Sequence, residues 1–178
     1  MPTPSGMPPS QLLRTPSDHS VADFDIRFRN TSGLNVSENR LLETARFVMR
    51  AQHLHARTEL NIGCVTMAEM ERLHIQHMDE PGATDVLSFP MDELRAGTET
   101  SPAARGMLGD IVLCPEFAGV QAVSAGHTTA DELDLLLTHG ILHLLGHDHL
   151  EPEEHAVMFG LQGELLNQLQ QTRGGANA

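Results

Sequence analysis

The sequence predicts a single α+β domain: a mixed sheet of about four strands packed with helices, with a metal site where one helix ends in a turn. Three observations predict it. Four short runs carry strand-like apolar patterning, and stretches of helical spacing separate them. The 178 residues suit one domain and are enough to bury a real core. Four histidines crowd into T-H-G-I-L-H-L-L-G-H-D-H, residues 138–149, where a helix would run into a glycine turn.

Residues 1–20 are rich in Pro, Ser and Thr and read as a disordered tail, so the domain is expected over 21–171. Residues 22–29 alternate, with Phe24, Ile26 and Phe28 on one side and Arg27 and Arg29 on the other, as in a half-buried strand. Ser37 opens a helix whose stripe is Leu41, Leu42, Ala45, Phe47 and Val48. L-N-I-G-C-V-T-M at 60–67 reads as the second strand, 68–77 as a short helix and D-E-P-G-A at 79–83 as a turn. D-V-L-S-F-P at 85–90 is a third strand ended by proline. Residues 93–105 read as a mobile loop, and L-G-D-I-V-L-C at 108–114 as the fourth strand. A helix is expected over 115–124. Another is expected over 130–145, capped by Thr129 with Glu132 closing a capping box. A last helix spans 151–170, and residues 172–178 are expected to fray.

No apolar run is long enough to cross a membrane, and no secretory leader is apparent. Cys64 and Cys114 lie in strand-like runs and read as buried thiols of a reducing cytoplasm. Formal net charge is -13 and every basic residue is Arg, which opposes general nucleic-acid binding and leaves only a local Arg-lined groove. Arg27 and Arg29 share a strand face, and Arg46 and Arg50 share a helix face. Those four are the candidates for phosphate. With no Trp or Tyr, base stacking would fall to Phe, His or Arg.

On a helix, His139 and His143 stand one turn apart on one face. Gly146 tolerates the left-handed backbone that ends a helix and can bring His149 back towards them. Three neutral imidazoles with one open position make a catalytic metal site. His147 is the alternative third ligand, but the Gly-x-x-His spacing favours His149. The spacing H-x-x-x-H-x-x-G-x-x-H is that of metzincin peptidases, except that Gly140 stands where their general-base Glu belongs. Beyond a metal-bound water no catalytic group is assigned. Asp85 is the candidate from the third strand, while Asp148 could orient a ligand imidazole. Ser88 and Asp110 are further polar residues on the strands that could line the site.

The motif H-G-I-L-H-L-L-G-H-D-H, with T-D-V-L-S-F-P at 84–90 and L-G-D-I-V-L-C at 108–114, resembles the YbeY family over roughly residues 22–170. The resemblance implies a cytoplasmic, zinc-dependent, single-strand-specific endoribonuclease of ribosomal RNA. It would act at the 3′ end of the 16S precursor and on defective ribosomes. It also implies one Zn2+ per chain on His139, His143 and His149. The implied partners are ribosomal RNA, the small subunit or its proteins, and the assembly GTPase Era. Many members carry Tyr where His147 stands, and Arg six residues before the Thr of T-D-V-L-S-F, where this chain has Met78. Phosphate would then fall to another Arg. The rival classes are a metallopeptidase or other metallohydrolase, and a metal-stabilised ribosome-assembly factor with slight activity of its own.

Overall fold

Alternation along the first strand sets which way the sheet faces. The computed structural model describes residues 24–78 and 84–176. The expected N-terminal tail and the D-E-P-G-A turn lie outside the described residues. In β1 (Asp25–Asn30), Ile26 and Phe28 are half-buried, while Arg27 and Arg29 are exposed. β2 (Glu59–Cys64) buries Leu60, Ile62 and Cys64 in the same alternation. β3 (Val86–Pro90) and β4 (Met107–Leu113) complete a four-stranded sheet in the order β1-β2-β4-β3. β1, β2 and β4 run parallel and β3 runs antiparallel to β4, so the sheet is mixed and β3 is an edge. Each expected strand is found, with its ends within three residues of the expected ones.

Parallel neighbours need a crossover, and α1 (Glu38–Ala51) supplies the one between β1 and β2. Ser37 caps it by accepting from the Arg40 amide at 3.3 Å. α1 and α4 (Thr129–Leu144) cover one face of the sheet, where Leu41, Val48 and Met49 meet Leu60, Ile62, Ile111, Leu137 and Ile141. α2 (Met67–Met78) packs on the opposite face over β3 and β4, through Met70 against Leu87 and Cys114. Both thiols are buried and free, as expected, and burial pushes Cys64 up to about 12. α3 (Pro115–Ala125) follows β4 and ends at left-handed Gly126.

Three expectations need correcting. The α4 capping box is one residue earlier than expected, at Thr128 and Asp131. T-T-A-D-E offers two registers of the same box, and Glu132 is taken by His127 at 2.5 Å instead. The segment 93–105 is irregular but pinned: the Gly97 and Ala103 amides donate to the Gln52 and His53 carbonyls, each at 2.9 Å, and Leu94 is buried. The last helix, α5 (Pro152–Ala176), runs through the expected fraying segment and past the expected boundary at 171. It persists because Arg173 reaches Asp134 of α4 at 2.7 Å and the Thr44 hydroxyl of α1 at 2.9 Å.

Candidate metal centre

α4 is buried along most of its length, so its residues are held by the core on several sides. Gly140 shows how close the packing is. A Cβ there would meet the Ser88 hydroxyl at 3.1 Å and Ile111 at 3.2 Å. The position that would carry a peptidase's glutamate therefore presses against β3 and β4 and has no room for a long acid.

The helix ends in a Schellman motif. The Gly146 amide donates to the His143 carbonyl at 2.9 Å, and the His147 amide to the Leu142 carbonyl at 3.1 Å. Gly146 has φ +91, the left-handed region that the motif requires and that favours glycine. The reversal brings His149 back. Ring centroids lie 4.7 Å apart for His139 and His143, 5.1 Å for His143 and His149, and 5.5 Å for His139 and His149. One nitrogen from each ring falls within 4.8 Å of the others. The group that can hold a metal includes His149 and not His147.

The donors suit a metal in charge as well as in position. Gln162 of α5 is buried, and its Oε1 accepts from His139 Nδ1 at 2.8 Å. That bond fixes the proton on Nδ1 and leaves Nε2 with a bare lone pair, the arrangement a metal-ligating imidazole needs. Burial, with the neighbouring His149, lowers the His139 pKa. Burial, with His139 and His149 close by, lowers that of His143. Neutral rings are the form that binds metal.

In the metal-free protein the same lowered pKa values tie stability to pH. The unfolded chain protonates these histidines at the ordinary value of 6.5, while the native state resists until lower pH. The unfolded state then holds more protons, so stability is full above the ordinary value and falls as pH drops below it. Chelated protein should melt progressively lower from about pH 7.5 to about pH 5.5. At neutral pH, zinc at about a hundred times its dissociation constant should restore about 3 kcal/mol. Identical melting curves with and without zinc would refute this.

The three histidines face a cleft of about 420 Å³ whose other wall is β3 with Thr84 and Asp85. Asp85 thus reaches the site, with Oδ1 accepting from the Val86 amide at 2.8 Å, and so does Ser88, which donates to the Gly140 carbonyl at 3.3 Å. Asp148 accepts from the His149 amide at 2.7 Å within the turn, and its charge acts on His143. Asp110 bonds Asn61 at 2.9 Å on the far side of the sheet. Arg27 and Arg29 line a separate groove there beside Asn61 and Asp110. Arg46 and Arg50 ride on α1, and none of the four arginines lines the histidine cleft. The Met78 side chain lies outside the described residues.

Two residues were missed by the sequence reading. Gln162 stands 23 positions from its partner and gave no local signal. Arg95 lies in the irregular segment, its guanidinium so close to Gly146 that a Cβ there would meet Cζ at 2.6 Å. Its Nη1 donates to the carbonyls of Glu93 and Leu94, at 3.2 and 3.1 Å, which steadies a positive charge beside the histidine turn.

With this geometry in view, the chain is similar to known proteins over most of its length. The sequence model of the family described as Endoribonuclease YbeY matches residues 26–170. Proteins named Endoribonuclease YbeY from Arthrobacter sp. (strain FB24) and Paenarthrobacter aurescens (strain TC1) are each 57% identical. The first aligns over 80% of this chain and 91% of the relative, the second over 82% and 92%. The solution structure of TM1509 from Thermotoga maritima is 25% identical, with a TM-score of 0.54 over 84% of this chain and 93% of that one.

Proposed function

The chain belongs to the YbeY family, and on that premise we propose that it is a zinc-dependent, single-strand-specific endoribonuclease. Its proposed work is 16S rRNA 3′-end maturation and ribosome quality control in the cytoplasm. Ribosomal RNA, the small subunit or its proteins, and the GTPase Era are the proposed partners. No described helix is long and apolar enough to cross a membrane. The observation that carries the reading is the cleft in which three imidazoles converge and Gly140 replaces a peptidase's base.

His139, His143 and His149 would hold the metal, with Gln162 keeping the His139 proton on Nδ1. Zinc held there would supply Lewis-acid polarisation of a phosphoryl oxygen and a water activated near neutral pH. Among the described lining residues Asp85 is the only carboxylate, and we assign it the role of proton acceptor. To Arg95, whose guanidinium lies against Gly146 of the turn, we assign the grip on a neighbouring phosphate.

One observation favours a second reading. Among the described residues β3 pairs only with β4, so its free edge could receive an extended peptide. Zinc-loaded protein should therefore be given single-stranded RNA and casein side by side, with His143→Ala as the control. RNA cleaved and casein intact, with Arg95→Ala about tenfold weaker on RNA, is the expected result. Casein cleavage would move the peptidase reading to first place. No cleavage of either would favour the assembly factor.

A further inference from the structure

We infer that His155 and Phe159 form a platform on which a nucleobase of single-stranded RNA stacks beside the histidine cleft. The two rings stand one turn apart on α5 and stack on each other at 4.2 Å with an interplanar angle of 17°. Phe159 in turn approaches His139 at 5.6 Å and His149 at 6.1 Å. His155 itself lies 6.4 Å from His149, so both rings of the pair border the histidine cluster.

Neighbouring aromatic rings on a helix often stack for local stability alone, but three observations point to a ligand. Of the six phenylalanines, Phe159 alone is exposed, at 40%, and it is the one beside the histidine cluster. The core does not call for it, because α5 buries Met158, Gln162, Leu165 and Leu169 instead. His155 is exposed too, so a π-face remains open to solvent. The first turn of α5 carries Glu153 and Glu154, and these carboxylates repel phosphate. What this end of the helix offers an RNA is therefore ring surface for a base, not charge for a backbone. Every base has a π-face, so such a platform selects single strands, whose bases are unstacked and free, over duplex.

This inference rests on the ribonuclease reading, and its test separates the two. Zinc-loaded full-length protein is titrated with short fluorescent oligoadenylate and oligouridylate. The variants are His155→Ala, His155→Phe and Phe159→Leu, the last keeping an apolar wall against His139 and His149. His155→Ala and Phe159→Leu should each weaken oligoadenylate binding about five- to a hundredfold. The loss should be smaller for oligouridylate, whose bases stack less strongly. His155→Phe should restore binding, and zinc content and melting temperature should be unchanged throughout. Parent-like affinity in His155→Ala and Phe159→Leu would overturn the platform and leave the ribonuclease reading standing. Affinity lost together with zinc would make the pair a support for His149 and overturn it as well. A parent that binds neither RNA would overturn both.

Discussion

His143→Ala should reduce RNA cleavage by on the order of a thousandfold or more while far-ultraviolet dichroism stays that of the parent. The magnitude reflects a metal centre that supplies several kcal/mol of charge stabilisation, at about 1.4 kcal/mol for each factor of ten. His143 is the middle of the cluster, within 4.7 Å of the His139 ring and 5.1 Å of the His149 ring. Removing it leaves two donors that cannot close the site. The fold should survive because the side chain is only half-buried and the Schellman turn uses its carbonyl, not its ring. Single-turnover cleavage at saturating zinc is the measurement. An unimpaired variant would mean that the chemistry lies elsewhere.

Asp134→Ala should be the most damaging single change to stability, at about 3–5 kcal/mol, the range for removing one partner of a buried ion pair. The carboxylate is 4% exposed. Its Oδ2 accepts from Arg40 at 2.8 Å and Arg173 at 2.7 Å, and its Oδ1 from the Thr44 hydroxyl at 2.8 Å. One acid thus ties α1, α4 and α5, and without it two guanidinium groups face each other with no charge between them. For a domain of this size the melting temperature should fall by about 10 °C or more. Amide exchange in the last turns of α5 should quicken. A shift of about 1 °C would show that Glu43 and Asp131 hold the arginines well enough without it.

What the sequence made legible was local. His139 and His143 share a face because a helix repeats every 3.6 residues or so, and Gly146 announces the reversal that returns His149. The alternation of β1 and the proline that ends β3 mark strands by the same short-range logic. Whatever depends on contacts between elements stayed hidden. Arg173 looked like part of a fraying tail because its partners, Asp134 and Thr44, lie 39 and 129 positions away. Gln162 looked like any helical glutamine until α5 was laid across α4. Arg27 and Arg29 were recognised as sharing a face, but only the sheet order shows that the face looks away from the histidines. The cap of α4 was misplaced by one residue because T-T-A-D-E satisfies the box in either register. The competition is settled by His127, which claims Glu132.

The most direct test of the metal centre is the zinc content of tag-free protein, measured beside that of the His139→Ala/His143→Ala and His147→Ala variants. The geometry predicts one zinc per chain in the parent and in His147→Ala, and none retained through gel filtration by the double variant. Stoichiometric zinc in the double variant, or its loss from His147→Ala, would contradict the assignment of His139, His143 and His149 as the ligands.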